Sequence, residues 1–190
     1  MAIGPALDVR HDDPQLSADH RLVLTILRAR IGGSTVEGLA DASGLPVTVA
    51  RERLDAMHRE GLVRCETERV LWGYGTRVAE LWILSLSDRC LDTLATLPRP
   101  AAVPGPAPER VPPQFWSLFS SGTHPADLRL PADAVAVAGR MIDSEDTAGR
   151  AWALSNLPLS ALRTLRTMRG YDTEPTAGRI DVALAHRSEL

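Results

Sequence analysis

The spacing of apolar positions changes twice along the first half of the chain. Leu22, Ile26 and Ala29 recur at i, i+4 and i+7, with Val23 and Leu27 widening the stripe. That spacing predicts a helix capped by Ser17 and ended near Ile31 by Gly32-Gly33. STVEGLADASG predicts a second, short helix with Val36, Leu39 and Ala40 on one face. Ser34 or Thr35 caps it, and Ser34 with Glu37 has capping-box spacing. Gly44 stops it, and Pro46 opens a third helix, PVTVARERLDAMHREG, with Ala50, Leu54 and Met57 on one side. After Gly61 the pattern becomes strand-like. Runs at roughly 63–72 and 77–85 flank a Gly73-Tyr74-Gly75 turn and predict a β-hairpin, with Trp72 and Trp82 assigned to packing on the sheet. SLSDRCLDTLATLP returns to helix, capped by Ser87, with Leu91 and Leu94 on one face.

A proline run interrupts this order. Seven of the 14 prolines fall within residues 98–113, where missing amide donors and the restriction on each preceding residue exclude helix and inner strand. The chain is therefore divided into a disordered N-terminus at 1–15, a domain at 16–97, a proline-rich linker at 98–112 and a helical domain at 113–190. In the last, QFWSLF forms a short amphipathic turn. Helices are expected over about 132–143 (Val135, Val137, Ala138, Met141, Ile142), 146–155 (Ala148, Ala151, Trp152, Leu154), from 159 (Leu162, Leu165, Met168) and over about 174–187 (Ile180, Val182, Leu184). Each half is small for a self-sufficient core, which favours oligomerisation or packing of the halves on each other. The fold class expected is mainly α with a small β-hairpin.

Composition narrows the chemistry. All 21 basic residues are arginine, the formal charge is −3 and the isoelectric point is about 5.9. Nucleic-acid binding must then come from a local patch and not from a basic coat. Five scattered histidines and two cysteines, Cys65 and Cys90, have no metal-ligand spacing, and the thiols read as reduced. No phosphate-binding glycine loop or nucleophile elbow occurs, and the two carboxylates of SEDT at 144–147 read as helix capping. No enzyme activity, metal or cofactor is expected. Without a leader pattern or a bilayer-length apolar run, the expectation is a cytoplasmic protein with no membrane partner.

A short helix, a glycine turn, a longer helix and GLV leading into a strand form a helix-turn-helix pattern, and the hairpin supplies a wing. On TVEGLADASGLPVTVARERLDAMHREGLV, the hairpin and LSDRCLDTL, residues 16–97 resemble a winged helix-turn-helix domain of the MarR/ArsR-like regulator type. Double-stranded DNA is then the expected partner. The candidate contacts are Ser34, Thr35, Thr48, Val49, Arg51, Glu52 and Arg59 from the helices, and Arg69, Tyr74 and Arg77 from the hairpin. Arginine suits guanine or phosphate, threonine suits base or phosphate, and glutamate can accept from the cytosine amino group. Residues 44–79 hold six arginines against five acids, a charge of only +1, so tight binding calls for a homodimer. The second half is similar, on PPQFWSLF, HPADLRLPADAVAVAGRMID, GRAWALSN and LSALRTLRTMRGYDTEPTAGRIDVAL, to a small helical domain found beside abortive-infection-type nucleotidyltransferase toxins. That likeness implies an antitoxin-like role in which residues 113–190 bind a toxin-like partner protein. The usual acidic, aromatic-rich turn after LF is replaced here by SSGTH. The readings carried forward are thus a regulator and a sequestering adaptor.

Overall fold

The computed structural model describes residues 16–98, 108–119 and 122–188. The N-terminus expected to be disordered, 1–15, and residues 99–107 of the proline-rich linker lie outside the described residues. The side chain of Trp72, assigned above to packing, lies outside them too.

Ser17 accepts a hydrogen bond from the His20 amide and starts α1 (Ala18–Ala29), which turns Val23, Leu24 and Leu27 inward. The chain then passes through Gly33, at φ +93°, into a short extended segment. There Ser34 exchanges two backbone hydrogen bonds with Trp82, at 3.1 and 2.9 Å. Ser34 is thereby drawn into the sheet, and the cap of α2 (Val36–Ser43) falls to Thr35, whose Oγ1 accepts from the Gly38 amide at 3.1 Å. The Ser34–Glu37 capping box does not form. Gly44, at φ +70°, closes α2, and Pro46 caps α3 (Val47–Arg59) without spending a donor. Ala50, Leu54 and Met57 are all fully buried, as their spacing predicts.

After Gly61 (φ +74°), β1 (Val63–Trp72) and β2 (Gly75–Leu84) pair antiparallel in the register Val63↔Leu84 to Trp72↔Gly75. The turn is therefore the two residues Gly73 and Tyr74, and Gly75 already belongs to β2. Gly73 takes the positive φ (+60°) that two-residue hairpin turns demand. Ser87 caps α4 (Asp88–Thr96), which buries Cys90 and Leu94. Burial pushes the Cys90 thiol up to about 11 and also raises that of the half-buried Cys65.

The second half begins with a 3-10 turn at Pro113–Leu118, whose Phe115 packs on Trp152 at 5.9 Å between ring centres. Four short helices follow: α5 (Ala134–Ile142), α6 (Thr147–Asn156), α7 (Leu159–Arg166) and α8 (Thr176–Ser188). Asp146 caps α6 through the Ala148 and Gly149 amides. Periodicity misplaces parts of two faces. Leu22 and Ala29, expected on the stripe of α1, are exposed while Leu24 and Arg28 are buried; Ala148 of α6 is exposed while Gly149 and Arg150 are buried beside the expected Leu154. On α8 the expected Ile180 and Val182 are buried, and Arg179 with them. Met168, expected on the inner face of the third of these helices, lies beyond α7 and is 44% exposed.

Buried apolar side chains from both halves belong to one continuous cluster. Chain ends of secondary structure meet closely across it. Ser155 donates to the Ala29 carbonyl, His186 Nε2 lies 3.3 Å from the Ser85 carbonyl, and a Cβ placed on Gly32 meets the backbone of Ala151 at 2.9 Å. Because that neighbour is helix backbone and not a flexible side chain, Gly32→Ala forces α1 and α6 apart. It is expected to lower stability by about 1–3 kcal/mol, read from the midpoint of urea unfolding with the slope unchanged.

Candidate nucleic-acid interface

The inner side of α3 is locked by Ala50, Leu54 and Met57, which turns the opposite side outward. Thr48, Arg51, Glu52, Asp55 and Arg59 are exposed there, and Val49 is half-buried at the margin. Strand alternation sorts the hairpin in the same way. Cys65, Arg69 and Leu71 of β1 share a face with Trp82, Glu80 and Val78 of β2, and Trp82 on this face meets the His58 ring of α3 edge-on at 6.0 Å. Toward the tip this face opens to solvent, with Leu71 and Val78 exposed and Tyr74 standing free of any cover.

Every hairpin or α3 arginine expected to meet DNA, except Arg59, has a carboxylate beside it. Arg51 donates to Glu80 at 2.9 Å, and that hydrogen bond holds its guanidinium above the ordinary arginine value against a smaller lowering from burial. Arg77 lies 3.7 Å from Glu37 of α2, and Arg69 lies 4.0 Å from Glu145 in the turn before α6. Arg59 donates to the Asp55 carbonyl in its own helix. The other charges counted in the sequence point elsewhere: Arg53 pairs with Asp19, Glu60 with Arg89, and Arg64 with Glu66. Arg77 and Glu37 pair with each other toward α2, so the α3 side keeps Arg51, Arg59 and Arg69, beside Glu52 and Asp55 and, from outside residues 44–79, Glu80 and Glu145. Three positive charges face four negative ones, so this surface carries −1; the count of +1 covers a different set, residues 44–79.

The structure brings most of the expected residues together, with three exceptions. Ser34 is 6% exposed, its backbone paired with Trp82 and its Oγ accepting from Arg30, so it is a sheet residue and not a surface contact. Thr35 is half-buried with its hydroxyl oxygen occupied as a cap. Arg77 stands opposite Val70, on the other face of the hairpin from Arg69 and Glu80, and points toward α2. A cleft of about 150 Å³ lined by Glu37, Arg51, Arg77 and Glu80 separates the start of α2 from β2.

Sequence reasoning missed the partners of these arginines and a second, buried set of charges. Glu66 and Glu68 sit on the same face of β1 as Val70, which is 3% exposed, opposite Leu81 and Ala79. Arg150 of α6 meets Glu68 at 2.7 Å; Arg179 of α8 meets Glu66 at 2.8 Å and also contacts Glu68. Burial lowers the pKa of both arginines from the ordinary value, more than the surrounding carboxylates raise it. The alternation of Glu66 and Glu68 with Val70 was the available signal, since carboxylates on the apolar face of a strand demand cations from elsewhere. Among the described residues no cluster of three or more metal-ligating side chains occurs, and no helix is long and apolar enough to cross a membrane.

Comparison with family models, curated proteins and solved structures finds no match for this chain.

The two classes of ion pair differ in what they contribute. Arg51 and Glu80 are each about half exposed (48% and 50%), a setting in which such pairs contribute at most about 1 kcal/mol. Arg51→Ala and Glu80→Ala are each expected to leave the thermal unfolding midpoint within a few degrees of the parent protein.

Proposed function

We propose that this chain is a DNA-binding regulator of the winged helix-turn-helix type that acts as a homodimer. In this reading α3 enters the major groove, and the hairpin is the wing that follows the adjacent backbone. The observation that carries it is the exposed outer side of α3, Thr48 to Arg59, set beside a hairpin with a free Tyr74 tip. Two further features support it. Gly44 and Pro46 make the tight turn between α2 and α3, and the isolated Ser34–Trp82 bridge lays the backbone before α2 beside the hairpin, where a winged domain has its first short strand. Thr48, Arg51 and Glu52 then occupy the part of α3 that reads base edges, while Arg59 and Arg69 serve phosphates.

A second reading is an adaptor or antitoxin-like protein whose second half sequesters a partner protein. It is favoured by the charge of −1 on the same surface, which gives little electrostatic attraction to a polyanion.

Fluorescence anisotropy with a labelled duplex from the protein's own upstream region, and a shuffled duplex beside it, separates the two. The regulator reading expects preference for the first duplex and a salt-dependent affinity. Arg51→Ala should weaken binding by about 1–3 kcal/mol if it holds a guanine. Arg59→Ala should lower the salt slope by about one per protomer, the loss of a single phosphate contact. Glu80→Gln should strengthen binding, because it removes the carboxylate that competes for Arg51. Affinity that is undetectable at 50 mM salt, or equal for both duplexes, sinks the regulator reading; co-purification with the product of an adjacent gene then supports the adaptor.

A further inference from the structure

The hairpin belongs to the first half by sequence, yet its most deeply buried ion pairs join it to the second. From the first half, the outer part of β2 receives Arg51–Glu80, about half exposed, and Arg77–Glu37, in which Arg77 is half-buried. From the second half, β1 receives Arg150 on Glu68 and Arg179 on Glu66 and Glu68, with both arginine side chains 4% exposed. The backbone edge is held as well, since the Leu71 amide donates to the Glu145 carbonyl at 2.8 Å. Arg150 ties the same turn to itself by donating to the Ser144 carbonyl at 2.8 Å. Residues 66–71 are therefore gripped along one face and one edge by α6, α8 and the turn before α6.

These charges are a poor choice for stability alone, since burying them forfeits hydration that apolar side chains of similar size would not need. They are directional instead. A guanidinium on a carboxylate fixes angle as well as distance, whereas an apolar contact at that place lets a strand slide or rotate.

We infer that Arg150 and Arg179 are positioning residues for the hairpin: they set its angle relative to α3, so that anything displacing α6 or α8 changes the surface offered to DNA. The second half is then the control element of the proposed interface. A protein or ligand that binds it acts by moving β1, without touching α3. The part about DNA rests on the function proposed above; the mechanical part does not.

Hydrogen exchange on the full chain tests the mechanical part. Arg150→Met leaves Glu68 to share Arg179 with Glu66 in a closed site, and the strand is expected to shift so that water makes good the lost guanidinium. Amides of residues 66–80 should exchange at least ten-fold faster, with those of α2 and α3 unchanged. Arg150→Met combined with Glu68→Leu removes both charges, leaves Arg179 on Glu66 and should restore protection. Should Arg150→Met fail to fold, Glu68→Gln keeps an acceptor for the guanidinium and carries the same localised readout at smaller amplitude. Protection that is unchanged, or lost evenly over both halves, or not restored by the paired replacement, overturns the inference. Duplex binding supplies the other arm. Arg69→Ala should cost less affinity in the Arg150→Met background than in the parent, because a displaced hairpin has already lost that contact; strict additivity overturns the link to DNA. A hairpin released as expected in a protein that binds no duplex supports the positioning role and refutes the nucleic-acid reading, so the two failures are told apart.

Discussion

A carboxylate on the apolar face of a strand cannot be left alone, and β1 carries two. Glu66 and Glu68 alternate with Val70 and lie opposite Leu81 and Ala79; Arg64 on the same face reaches only Glu66, so an element that covers this face must bring positive charge for Glu68 or leave an uncompensated ion in a low-dielectric setting. Arg150 and Arg179 are that charge, placed by α6 and α8. The requirement runs both ways. Each arginine has its pKa lowered by burial, so without the glutamates it too faces the cost of leaving water. The halves are thus bound to dock in one relative orientation, and the shared apolar cluster from Val23 to Ala183 closes around that contact.

The same constraint divides the hairpin between two owners. Its base is continuous with the first half through Trp82, which bridges Ser34 and meets His58. Its outer part leans on the second half through Glu66, Glu68 and Leu71. Exposed pairs such as Arg51–Glu80 contribute little and exchange partners readily, whereas pairs closed off from solvent resist exchange. The surface proposed to meet DNA is therefore built of labile pairs resting on a support of fixed ones. This is the order a binding surface needs, because contacts that must be traded for ligand contacts have to be weaker than those that hold the frame.

Local structure was legible where one short-range rule decides it. The caps at Ser17 and Ser87, the stops at Gly44 and Gly61, and the buried triad Ala50, Leu54 and Met57 follow from neighbours a few residues away. Ser34 escaped because a backbone bridge to Trp82, some fifty residues on, outweighs its value as a cap. Arg150 and Arg179 escaped because helical periodicity assigns arginine to water, and only strand parity in β1 shows where their partners lie. For the candidate interface, the identity of the exposed residues on α3 was readable, but its charge was not. Pairing took Arg53, Arg64 and Arg77 away and brought in Glu80 from β2 and Glu145 from the turn before α6.

That charge has a consequence for how such a surface recognises DNA. Ordinarily an arginine reaching a phosphate releases a condensed counterion, and the gain is the same on every sequence. In the proposed complex the ion displaced from Arg51 or Arg69 would be a tethered carboxylate that stays nearby and repels the duplex, so the sequence-independent gain per contact would be smaller. Dimerisation does not repair this, since a second copy brings −1 again; it multiplies base contacts and geometric fit without adding net attraction. A regulator with this surface binds random DNA poorly and depends on the hydrogen bonds of Thr48, Arg51 and Glu52 with the correct bases. Weak background affinity then favours specificity, because the ratio between operator and bulk DNA, more than absolute strength, decides occupancy in a genome full of competing sites.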